Sequence, residues 1–150
     1  MVLLTQRTAH LSSHSGQIAF PGGKADPGDN DESDTALRES EEEIGLSRQL
    51  VEVLGHLPIY TTGSAYVVTP VIALVRPEAE LALNHHEVAD AFEVPLEFLM
   101  NPANHRHHAM EWAGATRTWM SMPYHDGAQE RFIWGATAGM LRNFYRFLIS

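Results

Sequence analysis

Three acidic residues, Glu39, Glu42 and Glu43, are spaced so that a helix would bring them together. At about 100° per residue, a helix over Thr35–Ile44 places the three carboxylates within about 100° of one another. Like charges at this spacing repel, and hard cations such as Mg²⁺ or Mn²⁺ would offset the repulsion because they prefer oxygen ligands. The alternative is a solvated helix face on which Arg38 pairs with Glu42.

The residues before this helix favour the cation-binding alternative. The glycine pair Gly22 and Gly23 lets the backbone pass close to a ligand, and its carbonyls can add oxygen ligands. These glycines open the row GGKADPGDN, whose many turn formers predict a loop. The helix should begin near Ser33 or Asp34, both suitable N-caps, and end at Gly45.

The remaining hydrophobic patterns predict strands, a hairpin and a second long helix. The order of strands, helix, several strands and helix predicts an α/β fold with a mixed sheet that helices cover on its faces. The predicted elements are strands at Val2–Gln6, Gln17–Phe20, Leu50–Tyr60, Tyr66–Val75 and Ala89–Val94, helical turns at Pro95–Met100, a hairpin of His107–Ala113 and Thr116–Met122 joined at Ala113 and Gly114, and a helix at Trp134–Ile149.

Composition limits the classes of protein that fit. With 150 residues, of which 44% are hydrophobic, we expect one folded domain over residues 1–150. The absence of cysteine excludes disulfides, thiolate metal sites and a cysteine nucleophile. A net charge of -9 with a single lysine, Lys24, argues against nucleic-acid binding. No apolar run approaches a bilayer span and the N-terminus lacks a secretory pattern, so we expect a cytoplasmic protein that binds no membrane.

One segment resembles a known motif. The row GKADPGDNDESDTALRESEEEIGL resembles the Nudix box, in which a glycine loop leads to an arginine, three glutamates and a closing glycine. In the loop half, Asp29 stands where the general pattern has Glu, and one extra residue separates it from Arg38. The resemblance implies an α/β/α sandwich and metal-dependent attack of water on a diphosphate, with Mg²⁺ or Mn²⁺ as cofactor. The helical half of the motif matches at Arg38, Glu39, Glu42, Glu43, Gly45 and Leu46.

A second stretch is similar to the signature of one Nudix branch, the coenzyme A diphosphatases. It is LLTQRTAHLSSHSGQIAFPGG, and Ser12 stands in it where the branch usually carries Arg. LGHLPIYTT, YVVTPVIALV, EVADAFEVPL and FIWGATAGML are similar as well, so the resemblance covers most of the chain. It implies hydrolysis of coenzyme A or its thioesters to 3′,5′-adenosine bisphosphate and 4′-phosphopantetheine. Members generally have a strand before the one that reads VLLTQR, so we expect this chain to lack it.

The resemblance also implies roles for the residues of the box. Glu42 and Glu43 are the expected principal metal ligands. Glu39 is an additional ligand or a base that orients water, and the carbonyl of Gly23 is a weaker ligand. Arg38 would orient Glu42 or a neighbouring carboxylate, and the alternative for it is an ordinary surface ion pair.

Several residues outside the helix are further candidates. Glu87 is a metal ligand, a general base or simply a solvated side chain. Arg7 contacts a substrate phosphate or caps a strand end. His10 and His14 lie close to the signature loop and are candidates for contact with substrate, as are Gly22 and Gly23.

Histidines form a separate cluster in the sequence. His85, His86, His105, His107 and His108 raise the alternative of a zinc site, since imidazole is a good zinc ligand. Because several of them are adjacent and no partner pattern accompanies them, we expect surface residues instead.

Two other functions remain open beside coenzyme A hydrolysis. Hydrolysis of ADP-ribose, NADH or a dinucleotide is favoured by the missing Arg at Ser12. A Nudix module that senses a nucleotide without cleaving it is disfavoured, because it would not need the complete set Glu39, Glu42 and Glu43. In each case the partner is a small nucleotide-containing molecule, and the resemblance leads us to expect a homodimer.

Overall fold

The computed structural model describes residues 1–10 and 16–150, and these form two compact units. The first unit is Thr5–Ala91, and the second unit combines Met1–Leu4 with Phe92–Ser150. A single domain over the whole chain stays a prediction.

The described residues form runs of strands separated by helices, which confirms the predicted α/β class. The long helices lie close to their expected places, and most strands fall within the predicted runs. The strands are β1 (Val2–Arg7), β2 (Ile18–Ala19), β3 (Val51–His56), β4 (Tyr60–Thr61), β5 (Val67–Val68), β6 (Val71–Val75), β7 (Val88–Val94), β8 (Arg106–Trp112), β9 (Ala115–Ser121), β10 (Tyr124–Asp126) and β11 (Gln129–Arg131), and the helices are α1 (Glu32–Ile44), α2 (Leu96–Leu99) and α3 (Gly135–Ile149).

The strands pair into several small sheets. One has the order β2-β1-β7, and the others are the antiparallel pairs β3-β6, β4-β5, β8-β9 and β10-β11. Two predicted strands are each divided by a proline, Pro58 between β3 and β4 and Pro70 between β5 and β6. The division follows because proline has no N–H to donate to a ladder.

The hairpin of β8 and β9 has the turn that the sequence predicted. Trp112 pairs with Ala115, and the residues between them, Ala113 and Gly114, have φ of 51° and 79°. Two successive left-handed residues give the turn type that matches the twist of a hairpin. The β10-β11 hairpin was not predicted, because strands of three residues show too little alternation to be recognised.

Each unit has its own buried hydrophobic residues. They belong to the strands, to the ends of α1 and α2, to one face of α3, and to short connections beside these elements. Those of the first unit are Ile18, Ile44, Leu46, Leu57 and Val88, and those of the second are Leu4, Phe92, Val94, Leu99, Met122, Ile133, Ala138 and Leu141.

Helix α1 begins three residues earlier than predicted. Asp31 is the N-cap, and its Oδ1 accepts a hydrogen bond of 2.8 Å from the amide of Asp34. Glu32 and Asp34 also place negative charge in the first turn, which the helix dipole favours. The prediction of Ser33 or Asp34 as N-cap was therefore wrong. Asp34 instead forms an ion pair of 2.8 Å with Arg48.

The other end of α1 is where the sequence placed it. Gly45 is the C-cap and has a left-handed φ of 66°. The amide of Ala82 donates to the carbonyl of Ile44, and the amide of Asn84 donates to that of Glu43, both at 2.9 Å. A Cβ on Gly45 would lie 2.9 Å from the backbone of Ala82. The glycine thus ends the helix and lets a second segment approach its last turn.

No helix in the described ranges 1–10 and 16–150 has both the length and the apolar character that crossing a membrane requires.

We predict that Gly45→Ala lowers the free energy of unfolding by more than a strained backbone alone explains. A left-handed alanine costs about 1–2 kcal/mol, and here the added methyl group also meets Ala82 at 2.9 Å. Gly127→Ala is the matched control, because Gly127 has a φ of 65° and no atom within 4 Å of an added Cβ. Urea denaturation of both variants measures the difference. Equal losses would contradict the close packing of Gly45 on Ala82.

Candidate active site

The loop before α1 is a folded turn held by Asp26 and Asp29. The amide of Asp29 donates to the carbonyl of Asp26 at 2.8 Å, and the amide of Asp26 donates to Oδ2 of Asp29 at 2.8 Å. The amide of Gly28 donates to Oδ1 of Asp26 at 3.0 Å. Because aspartates in turns can satisfy neighbouring amides in this way, the loop has a defined conformation next to the helix.

Arg38 connects this loop to the helix. Its Nε and Nη2 donate to the two carboxylate oxygens of Asp29 at 2.9 and 3.0 Å, and Nη2 also donates to the carbonyl of Lys24 at 3.0 Å. The hydroxyl of Thr35 donates to Oδ2 of Asp29 at 2.8 Å. The hydrogen bonds from Arg38, then those from the amide of Asp26 and from Thr35, hold the pKa of Asp29 well below its usual range. Two-point pairing of this kind fixes the guanidinium plane.

The remaining nitrogen of Arg38 contacts two glutamates of the box. Nη1 lies 3.2 Å from Oε1 of Glu39 and 3.3 Å from both carboxylate oxygens of Glu42. The expected pair of Arg38 with Glu42 is therefore present, while Asp29, the partner with the shortest contacts, was not predicted. A sequence signal for it existed, because Asp29 stands at the position of an acidic residue of the box.

Glu43 points into the protein and is 6% exposed. Burial, followed by the charges of Glu39 and Glu87, raises the pKa of its carboxyl group to about 7. A hydrogen bond from the amide of Gly22 and the charge of Arg7 act in the opposite direction. The structure thus brings residues from β1, the glycine turn, α1 and the segment before β7 around one carboxyl group, all within the first unit.

The carboxylate of Glu39 lies against the backbone of Gly23. A Cβ on Gly23 would be 2.6 Å from Oε1 of Glu39, so a residue with a side chain would displace this carboxylate. The side chain of Glu39 is 17% exposed. Gly22 therefore contacts a glutamate through its amide, and Gly23 allows the approach of another because it has no side chain. The predicted approach of this glycine pair to a ligand or metal ion stays a prediction.

Other predicted site residues are placed differently. The side chain of Glu42 is 58% exposed and Glu87 is exposed, although Glu87 still acts on the pKa of Glu43. Nε of Arg7 is buried and has no hydrogen-bond partner among residues 1–10 and 16–150. His10 is exposed. His14 lies outside the described residues.

The donor atoms fit a hard divalent cation in their chemistry. Glu39, Glu42, Glu43 and Glu87 offer only oxygen, and the burial of Glu43 beside two other carboxyl groups is a charge arrangement that a cation would relieve. Within the described part of the chain, no group of three or more acidic or histidine side chains is close enough to hold a metal ion in this arrangement. Metal ligation by Glu39, Glu42, Glu43 and the Gly23 carbonyl stays a prediction.

The histidine cluster contains one residue that was misjudged. His105 is 7% exposed rather than on the surface. Its Nε2 lies 2.6 Å from the carbonyl of Leu99, and its Nδ1 lies 3.0 Å from Nη1 of Arg142. Desolvation lowers the pKa of His105, and since Arg142 can only donate, Nδ1 accepts and Nε2 carries the proton. His85, His86 and His107 are exposed, as expected.

Comparison with known proteins identifies the family. A NUDIX domain matches residues 1–113. The chain is 40% identical over 143 residues to the Uncharacterized Nudix hydrolase NudL of Yersinia pestis (strain Pestoides F) and to that of Yersinia pseudotuberculosis serotype O:1b (strain IP 31758), covering 95% of this chain and 69% of each relative. The crystal structure of a C. elegans Ap4A hydrolase binary complex matches with a TM-score of 0.53 and 25% identity, over 63% of this chain and 68% of that one.

The chain therefore belongs to the Nudix family. It is a Nudix diphosphatase, a hydrolase that acts on a nucleoside diphosphate derivative. Nudix hydrolases generally use divalent metal ions. The predicted family and enzyme class are confirmed, while the coenzyme A branch stays a prediction.

We predict that Glu43→Gln stabilises the metal-free protein at pH 8. The pKa of Glu43 is about 7 in the folded protein against an ordinary value of 4.5, so the folded state holds the proton more tightly. This group therefore makes wild-type stability fall as pH rises from about 4.5 to about 7. Glutamine lacks the charge and can still accept the hydrogen bond from Gly22. The gain should disappear at pH 5, where the wild-type carboxyl is protonated.

Urea denaturation with a chelator present, at pH 5 and pH 8, measures this gain. Glu42→Gln is the matched control, because its side chain is 58% exposed and bonded to Arg38. It should give no comparable stabilisation. A Glu43→Gln variant that is less stable than wild type at pH 8 would show that the charge of Glu43 is not strained in the folded protein.

Proposed function

We propose that this protein hydrolyses the diphosphate bond of coenzyme A or its thioesters and releases 3′,5′-adenosine bisphosphate and 4′-phosphopantetheine. Membership of the Nudix family supports the type of reaction. The similarity of LLTQRTAHLSSHSGQIAFPGG to the signature of the coenzyme A diphosphatases supports the choice of substrate. The observation that carries the proposal is the carboxyl of Glu43, 6% exposed beside Glu39 and Glu87, with Arg7 acting on the same group.

The acidic residues of α1 are the proposed metal ligands. Glu42 and Glu43 would be the principal ones, with Glu39 and the carbonyl of Gly23 in support. A bound Mg²⁺ or Mn²⁺ ion would neutralise diphosphate oxygens and lower the pKa of a bound water. Arg38 holds Glu39 and Glu42 on one side through Nη1, which supports an orienting role rather than a simple surface ion pair.

Two residues outside the helix complete the proposed site. Glu87 is exposed to water and close enough to Glu43 to affect its pKa, so it can take a proton from the attacking water or serve as a further ligand. Arg7 would bind a phosphate oxygen of the substrate, because its Nε is buried and has no partner among the described residues. Gly22 and His14 remain proposed contacts of the substrate.

One alternative substrate class has specific support. The similar C. elegans structure is an Ap4A hydrolase, and Ser12 here replaces the arginine usual in the coenzyme A branch. These observations favour a dinucleotide, ADP-ribose or NADH. A nucleotide sensor without turnover has less support, because the acidic set is complete. A cytoplasmic location and a homodimer stay predictions.

We predict that the purified chain with Mg²⁺ or Mn²⁺ cleaves coenzyme A in preference to ADP-ribose, NADH and diadenosine polyphosphates. Products identified by chromatography at matched substrate concentrations decide between these substrates. The pair 3′,5′-adenosine bisphosphate and 4′-phosphopantetheine is the expected result. Preference for another member of the panel would replace the proposed substrate, and binding without turnover would favour the sensor.

Glu43→Gln is the inactive control for this panel. We expect it to fold and to lose metal-dependent turnover by a factor of about 100 or more, since one ligand oxygen is replaced by a neutral amide. Its unfolding curve separates loss of chemistry from loss of structure. Wild-type turnover in this variant would remove Glu43 from the proposed metal site.

We predict that Arg7→Gln raises KM for the preferred substrate about 10-fold, since a charge-assisted hydrogen bond to phosphate contributes about 1.5–3 kcal/mol. Arg76→Gln is the matched control, because the side chain of Arg76 belongs to the same unit and is 69% exposed. Steady-state kinetics on both variants test the assignment. A KM that is equal in Arg7→Gln and wild type would leave Arg7 with only a structural role.

A further inference from the structure

The segment before β7 is attached to the last turn of α1 by backbone hydrogen bonds. The amide of Ala82 donates to the carbonyl of Ile44, and the amide of Asn84 donates to the carbonyl of Glu43, both at 2.9 Å. The last carbonyls of a helix have no partner within it, so these bonds satisfy groups that would otherwise need water. A backbone hydrogen bond from Asn84 therefore links Glu43 directly to the segment that contains Glu87.

Asn84 continues this connection into a tight turn. Its carbonyl accepts from the amides of Glu87 at 3.0 Å and Val88 at 2.9 Å, and its Oδ1 accepts from the amide of His86 at 3.2 Å. An Asn side chain that bonds the amide two residues later is a common way to fix such turns. Asn84 thus fixes the position of the backbone on the amino-terminal side of Glu87.

Thr8 binds the backbone carbonyls on both sides of the Cα of Glu87. Its amide donates to the carbonyl of Glu87 and its hydroxyl donates to the carbonyl of His86, both at 3.1 Å. The two carbonyls flank the Cα of Glu87 in the chain, so together they fix the direction in which its side chain leaves the backbone. Thr8 follows directly on β1 and is 6% exposed, which makes it a rigid anchor.

This anchoring matters because the backbone of Glu87 sets the direction in which its side chain leaves the chain. Glu87 is exposed, and when both side chains are ionised its carboxylate carries the same charge as the buried carboxylate of Glu43. A solvated glutamate that is free to move would turn away from a buried negative charge. Its position must therefore be imposed by its backbone.

We propose that Thr8 is a positioning residue that sets the place of the Glu87 carboxylate relative to Glu43 through its hydrogen bonds to the His86 and Glu87 carbonyls. The inference rests on the proposed function of Glu87 as base or ligand, and it adds a residue to which neither the motif nor the resemblance gives a role. Thr8 has no proposed contact with substrate or metal. Its proposed effect on the reaction acts only through the position of Glu87.

The test is a double-mutant cycle on the full chain. Thr8→Val keeps the shape and the amide bond but removes the hydroxyl, and we expect kcat to fall about 10-fold, the lower end of the effect of residues that orient metal ligands. KM should stay within about twofold of wild type. In a Glu87→Gln background, Thr8→Val should change kcat by less than about twofold, since no carboxylate remains to be positioned. Thr8→Ser should restore kcat.

A second readout needs no substrate. Mn²⁺ affinity of the metal-free chain, measured by electron paramagnetic resonance titration, is compared across wild type, Thr8→Val, Glu87→Gln and the double variant. Coupling between the two substitutions in kcat or in Mn²⁺ affinity supports the inference, and additive losses in both overturn it. If wild type binds Mn²⁺ but cleaves no member of the panel, the proposed function fails while the Mn²⁺ cycle still decides the role of Thr8.

Thr5→Val is the matched structural control. Thr5 is 2% exposed, belongs to the same part of the chain, and donates its hydroxyl to the carbonyl of Ala19 at 3.0 Å. Thr5 and Ala19 also face each other in the β1-β2 ladder, so that pairing survives the substitution. We expect a similar loss of stability and an unchanged kcat. A fall in kcat equal to that of Thr8→Val would show that general destabilisation, and not the position of Glu87, causes the effect.

Discussion

The candidate site of the first unit is built around one unfavourable arrangement, the burial of the Glu43 carboxyl group beside the carboxyl groups of Glu39 and Glu87. Desolvation and like charge both oppose ionisation of this group, while the amide of Gly22 and the charge of Arg7 favour it. A fold under selection for stability alone would place a hydrophobic residue at this position. Keeping a carboxyl group costs stability in the metal-free protein, and such costs concentrate where a protein binds or reacts.

Arg38 contacts two glutamates that neighbour Glu43 in the helix, Glu39 and Glu42. Two of its nitrogens are fully used by Asp29 and by the carbonyl of Lys24, and only Nη1 reaches Glu39 and Glu42, at the longer distances of 3.2 and 3.3 Å. A cation that took over Glu39 and Glu42 would therefore leave the anchoring of Arg38 unchanged. A lysine could not divide its contacts in this way, because it has a single nitrogen. The contacts of Arg38 with the loop and its contacts with the two glutamates therefore lie on different nitrogens.

The sequence predicted the helix and its last residue, because these follow from local spacing. It misplaced the start, since Asp31, Ser33 and Asp34 all suit an N-cap, and the ion pair of Asp34 with the distant Arg48 is not visible in local spacing. The contact of Arg38 with Asp29 depends on the loop conformation, which turn composition does not specify.

Long-range placement could be predicted only through the family resemblance. No pattern within β1 or before β7 indicates that Arg7 and Glu87 act on Glu43, and the resemblance alone made them candidates. The burial of His105 was missed for the same kind of reason. Its partners, the carbonyl of Leu99 and the side chain of Arg142, come together only when the second unit folds.

The three segments that meet at Glu43 are joined through the backbone more than through their side chains. Ala82 and Asn84 bond the helix end, and Thr8 bonds the carbonyls on either side of Glu87. Side chains that repel one another cannot assemble a site by themselves, so backbone bonds and the close packing of Gly45 on Ala82 must supply the attraction. Three glutamates at the right spacing in a helix are therefore not sufficient to assemble the site. A chain that kept them but placed a larger residue at Gly45 would keep the acidic helix face and lose the segment that brings the fourth carboxylate to it.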